Sequence, residues 1–175
     1  MYSLTDPSLW NFESQLSPES LKAIPDSSLL VLSDNLPTGL FAAHQVMSSP
    51  KVLPAIRGIP FPYSEGMKKL SVEESTLTFA VIGLGTVGVC ATIALLDQVT
   101  KAELHYKIVA IDLLEARREK MKALYDKIGE NGKGSKGEFV VQSPEEAKKT
   151  IETWTAGLGC NAVLEVRCSG SLWHI

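Results

Sequence analysis

Three cysteines, Cys90, Cys160 and Cys168, scattered and with no C-x-x-C pair among them, are all the thiols this chain has. An odd, unpaired set gives no basis for a disulfide framework or a zinc-ribbon lobe, and makes the cytoplasm the expected compartment. Positive charge is not in excess: 17 Lys and Arg stand against 20 Asp and Glu, for a net charge of −3. That removes the general electrostatic reason to expect nucleic acid or an anionic membrane as a partner. Long hydrophobic runs are missing as well; the longest, around Ala91–Leu96, falls far short of the ~20 apolar residues needed to span a bilayer. The start, MYSLTDPSLWNFESQLSPES, has neither a basic n-region nor an apolar h-region, and no internal repeat is evident. What remains is 45% apolar and 21% charged over 175 residues. That composition fits an ordinary globular protein of one domain, or one domain plus a fragment of another.

The first thirty residues are rich in Ser, Pro and Asp and read as loop, with a short helix over Pro18–Ala23 behind an N-cap serine. Leu29–Leu32 is a short apolar run ending in Ser33-Asp34-Asn35, and Leu40–Met47 fits one helix face before Ser48-Ser49-Pro50 stops it. Residues 50–75 carry Pro50, Pro54, Pro60 and Pro62 and read as an irregular surface excursion. From Thr76 the pattern becomes alternating α/β. Strands are predicted over Thr76–Ile82, Lys107–Asp112, Glu138–Gln142 and Ala162–Val166. Helices are predicted over Thr86–Asp97, Leu114–Ile128 and, behind the capping box Ser143-Pro144-Glu145-Glu146, up to Ala156 with Gly157 beyond its end. Gln98–Tyr106 and Gly129–Gly137 read as loops. Strands separated by helices imply parallel pairing with right-handed crossovers, hence an α/β fold: a partial Rossmann doubly wound sheet of order 3-2-1-4. The expected organisation is a junction and linking helix over 1–49, a proline-rich insert over 50–75, and the Rossmann domain over 76–175.

AVIGLGTVGVCATIALL, residues 80–96, sets Gly83, Gly85 and Gly88 between a predicted strand and a predicted helix. In that context the G-x-G-x-x-G spacing is informative. Gly83 permits the tight turn, Gly85 lets the backbone approach a pyrophosphate, and Gly88 lets the helix pack on its strand. The amides of Thr86, Val87 and Gly88 at the helix start then offer unsatisfied donors to an anion. An acidic residue at the end of the second strand completes the pattern by accepting ribose hydroxyls. Asp112 stands there, 24 positions past Gly88, against an expected ~20. A carboxylate at this place repels a 2′-phosphate, which favours NAD over NADP. Arg117 and Arg118 are candidates for an adenosine phosphate; the alternative for both, weightier for Arg118, is the solvated face of a helix rich in Lys and Arg.

With these elements placed, the chain resembles the zinc-type, medium-chain alcohol dehydrogenase family. Ser33-Asp-Asn-Leu-Pro-Thr-Gly39 resembles the family's passage from catalytic domain to first linking helix. AVIGLGTVGVCA resembles its coenzyme fingerprint, VAIDLLEARREKMKAL its second strand and helix, and TWTAGLGCNAVLEV its T-x-G-x-G-x-D-x-x-x-E pattern. The resemblance covers about residues 20–166 without the proline-rich insert and the glycine-rich loop, and points to the branch of glutathione-independent formaldehyde dehydrogenases and fungal alcohol dehydrogenase-like proteins. It implies an NAD-dependent oxidoreductase passing hydride between an alcohol- or aldehyde-derived substrate and NAD. It further implies that Asp34 is a remnant zinc ligand and that Thr38 and Gly39 approach the nicotinamide; the alternative for Asp34 is a turn or N-cap residue ahead of the helix.

The departures set the remaining expectations. The family's other zinc ligands, a Cys and a Gly-His-Glu-type segment, have no counterpart, and a catalytic zinc needs three protein ligands. Zinc is therefore expected for the family as a whole and not for this chain. No catalytic residue is assigned; His44, His105 and His174 are unplaced, and Cys90 reads as a small core residue. Asn161 stands where many members have Asp. After Val166 the chain reads RCSGSLWHI instead of a further helix and two strands. The expectation is a chain that keeps mainly the coenzyme-binding part, with little activity alone. The alternatives are a non-catalytic dinucleotide-binding module or an inactive truncated gene product. Expected partners are a nicotinamide dinucleotide and another copy in a homo-oligomer, with no nucleic acid and no membrane.

Overall fold

The computed structural model describes Pro25, Ser28 and residues 31–60, 66–128 and 136–166. The helix expected at Pro18–Ala23, residues 129–135 of the glycine-rich loop, and the segment after Val166 with Cys168 and His174 lie outside the described residues.

β1 (Leu77–Ile82), β2 (Tyr106–Ile111), β3 (Gly137–Gln142) and β4 (Ala162–Glu165) form one all-parallel sheet in the order β3-β2-β1-β4. This is the α/β, partial Rossmann order expected from the alternation of strands and helices. The two central strands are buried along almost their whole length, whereas β3 and β4 are buried only in part. Burial on both faces is why LTFAVI and YKIVAI read as near-continuous apolar runs rather than alternating ones.

The helices cover both faces. On one side the side chains of Leu77, Phe79, Val81, Tyr106 and Ile108 meet α1 (Leu36–Met47) and α4 (Thr86–Lys101). Leu84, Ala110 and Val141 enclose Met121 of α5 (Glu115–Lys127). On the other side Ala80, Val109 and Ile111 pack on Ala147, Ile151 and Trp154 of α6 (Pro144–Thr155). In α4, Gly88, Ala91, Thr92, Leu95, Leu96 and Val99 are buried at helical spacing. Each large side chain so buried is worth about 1.5–3 kcal/mol.

Three expectations need correction. Residues 50–75 are not irregular throughout: they hold α2 (Leu53–Arg57) and α3 (Val72–Ser75). Proline does not prevent α2, because Pro54 sits in its first turn, where no backbone N–H is required. Val52 and Ala55 tie this segment to the core, and Ser71 with Glu74 forms a capping box at α3. The linking helix starts earlier than Leu40, at Leu36, again with a proline in its first turn, and a π-helical turn over Val31–Asn35 precedes it. Much of Gln98–Tyr106 is not a loop, since α4 runs on to Lys101. The long interval to Asp112 is thus filled by extra helix rather than by extra coil.

The last helix behaves as its capping box predicts. The Ser143 hydroxyl accepts from the Glu146 N–H, and the Glu146 carboxylate accepts from the Ser143 N–H. Its far end turns left-handed one residue before Gly157, at Ala156, and the Gly157 N–H closes on the Glu152 carbonyl. None of the described helices is long and apolar enough to cross a membrane.

Candidate functional site

The carboxyl ends of β1 and β2 gather most of the residues singled out above. β1 ends at Ile82 and α4 begins at Thr86, so the glycine loop is a tight link between a buried strand and a buried helix. Gly83 has φ +96° and its N–H donates to the Ile111 carbonyl at 2.8 Å. Only glycine takes that backbone conformation without strain. Gly88 lies under the loop: a Cβ there would stand 1.7 Å from the Gly83 carbonyl oxygen. The closeness of helix to strand accounts for this glycine.

Gly85 differs from both. Its φ is −70°, and a Cβ built on it would meet nothing within 4 Å. Neither strain nor internal packing requires a glycine at this position. The residue is the N-cap of α4 and supplies no side chain to it, so the first-turn amides at Thr86, Val87 and Gly88 have no side-chain acceptor from the cap. Thr86 is exposed and Val87 half-buried. The result is a bare patch of backbone at the positive end of a 16-residue helix.

Asp112 follows β2 directly and is 7% exposed. Its Oδ2 accepts the Leu84 N–H at 2.7 Å and its Oδ1 accepts the Leu114 N–H at 2.8 Å. The carboxylate therefore ties the β1–α4 loop to the β2–α5 turn. A carboxylate can accept about four hydrogen bonds, so these two leave acceptor capacity beside the glycine loop. Arg117, half exposed, brings Nη1 to 3.5 Å from Oδ2. Arg118 is not merely part of a solvated face: its Nη1 donates to the carbonyls of Asp112 at 2.9 Å and Leu113 at 2.8 Å. The sequence reading names Arg118 without these backbone contacts, yet a signal for them exists. Helical side chains lean toward the N-terminus, so a long one in the first turns of α5 reaches back over the preceding carbonyls.

The residues carried over by family resemblance lie on α1 and in the turn before it. Thr38 is exposed in the first turn of α1, where its hydroxyl donates to the Asp34 carbonyl at 2.8 Å. Gly39 is buried where α1 crosses α4; a Cβ on it would stand 2.6 Å from the Ala91 nitrogen and 2.7 Å from the Cys90 Cβ. Close helix packing accounts for that glycine. Asp34 is exposed in the π-helical turn. Among the described residues there is no group of three His, Cys, Asp or Glu that could hold a metal ion. His44 is exposed at the last turn of α1. Cys90 and Cys160 are half-buried, and burial raises both thiols above 9.0.

Asn161 also has a place. Its Oδ1 accepts the Thr78 N–H at 2.8 Å while its own N–H donates to the Thr78 carbonyl at 2.8 Å. An aspartate would supply the same acceptor, so the departure from the family pattern leaves this clasp between β4 and β1 intact. Two concavities, of about 450 and 410 Å³, lie around His105 and Gly137 and around Tyr125 and Phe139. Neither borders the glycine loop, and neither gathers donors as the loop does, so volume alone does not mark the site. No family model, no curated protein and no solved structure matches the chain.

Proposed function

We propose that this chain binds NAD across the carboxyl ends of β1 and β2, as the coenzyme-holding part of an oxidoreductase resembling the zinc-type alcohol dehydrogenases. The observation that carries the reading is Gly85, the one glycine of the three that the fold does not need. Open space in front of it, bare amides behind it and a buried carboxylate beside it fit a coenzyme's pyrophosphate and ribose. Gly85, Thr86, Val87 and Gly88 would hold the pyrophosphate, Asp112 the ribose hydroxyls and Arg117 an adenosine phosphate. Bound there, the coenzyme would supply hydride transfer. The carboxylate disfavours a 2′-phosphate, so NADP is expected to bind less tightly.

A second reading, a module that binds the dinucleotide without turning it over, draws support from α1. The Thr38 hydroxyl and the Gly39 backbone, which the resemblance would assign to the nicotinamide side, are engaged in helix geometry and helix packing. Titration calorimetry with NADH and NADPH tests the common core of both readings. Absence of binding at millimolar ligand to folded protein refutes it. Alcohol-dependent reduction of NAD by the purified chain, with and without added zinc, separates the two.

A further inference from the structure

We infer that Arg118 is a positioning residue for Asp112, and that the grip on a ligand's ribose hydroxyls depends on it; this rests on the dinucleotide reading above. Arg118 closes on two adjacent main-chain carbonyls, Asp112 at 2.9 Å and Leu113 at 2.8 Å, both beyond the last residue of β2. The Asp112 carbonyl belongs to the peptide plane that carries the Asp112 Cα, so holding both carbonyls fixes the direction in which that side chain leaves the backbone. Asp112 is then restrained at three points: its carbonyl by Arg118, its Oδ2 by the Leu84 N–H and its Oδ1 by the Leu114 N–H. Arg117 has a different part. Its contact with Oδ2 is long, 3.5 Å, and half of its side chain is exposed, so it offers charge rather than restraint. Lysine is a poor substitute for Arg118, because a single ammonium lacks the rigid planar array of donors.

The test measures ADP and 2′,3′-dideoxy-ADP by calorimetry on the wild-type chain, Arg118→Met and Arg118→Lys. The wild type should prefer ADP by about tenfold, the worth of a charge-assisted pair with the hydroxyls. Arg118→Met should lose most of that preference by weakening ADP alone, leaving the dideoxy analogue within roughly twofold. Arg118→Lys should fall between, and it carries the test if the Met variant does not fold. A second readout needs no ligand: the Leu84 and Leu114 amides, which end on the Asp112 carboxylate, should exchange about tenfold faster in the Arg118 variants while buried α4 amides stay protected. Equal weakening of both nucleotides, or unchanged exchange at those two amides, overturns the positioning role. Wild-type protein that binds neither nucleotide refutes the dinucleotide reading instead, and the exchange comparison still decides the role of Arg118.

Discussion

Replacing Gly85 by alanine separates what the fold needs from what a ligand needs. At φ −70° and ψ −173°, with nothing within 4 Å of the added Cβ, alanine fits without strain or clash. The unfolded chain loses freedom, so the folded state should gain about 0.4–1 kcal/mol. For a protein of this size that is a rise in Tm of roughly 1–4 °C. Binding should move the other way. The methyl projects into the space through which a phosphate oxygen must pass to reach the first-turn amides. Losing one charge-assisted hydrogen bond costs about 1.5–3 kcal/mol, or roughly ten- to a hundredfold in Kd. Gly88→Ala is the control: its Cβ would stand 1.7 Å from the Gly83 carbonyl oxygen and 2.9 Å from its carbon, which should lower stability by at least ~1–3 kcal/mol through forced displacement of backbone. Thermal melting and NADH calorimetry on the same preparations read both quantities. A Gly85→Ala protein that binds NADH as the wild type does would refute the assignment of this glycine to the ligand. A fall in Tm of several degrees would refute the claim that the fold leaves it unconstrained.

Gly39→Ala should push α1 from α4, because its Cβ would sit 2.6 Å from the Ala91 nitrogen; a loss of ~1–3 kcal/mol in urea unfolding at unchanged m is expected, and no loss would show that α1 is not packed as described. Asn161→Ala strips the N–H of the buried Thr78 of its acceptor and should cost ~1–3 kcal/mol, whereas Asn161→Asp keeps an oxygen there and should cost much less; equal losses would refute the clasp. Glu74 and Glu146 are held below 4.5 first by the main-chain N–H groups of Ser71 and Ser143 and next by their hydroxyls. Because the folded values are depressed, their contribution to stability is fully present above about pH 4.5 and fades as pH falls through the folded values. Carboxyl NMR titration should find both below 4.5 in the wild type, with Glu146 moving part of the way back in Ser143→Ala; wild-type titration at or above 4.5 would refute the caps.

The sheet was legible because its determinants are local. Central strands buried on both faces must be largely apolar, as LTFAVI and YKIVAI are apart from Thr78 and Lys107, and the intervening helices then force parallel pairing. The cap of α6 was legible for the same reason, since Ser143 and Glu146 find each other three residues apart. Residues 50–75 misled because proline was weighed by its number and not by its place: Pro54 enters α2 at its first turn, where its missing N–H costs nothing. What Gly39 packs against could not be read at all, because Cys90 and Ala91 are brought to it only by the crossing of two helices distant in sequence. In the glycine loop, spacing identifies three glycines but cannot rank them. The ranking needs coordinates, since a positive φ at Gly83 and a carbonyl over Gly88 explain two of them and leave the third.

The same reasoning shows why the site's carboxylate is a poor place to probe by removal. Asp112 carries two loads, the Leu84 and Leu114 amides on one side and, in the dinucleotide reading, ribose hydroxyls on the other. Alanine leaves both amides without an acceptor. Asparagine keeps one acceptor oxygen and turns a donor toward the other amide, so the loop loses a bond before any ligand arrives. A weakened Asp112 variant would therefore say nothing about which load was lost. The discrimination has to come from the ligand. If the carboxylate grips the sugar, removing the hydroxyls from the nucleotide must cost the wild-type chain affinity while its melting temperature without ligand stays where it was. If the carboxylate serves only the loop, ADP and its dideoxy analogue must bind alike, and the acidic residue at the end of β2 is then a clamp and not a recognition group.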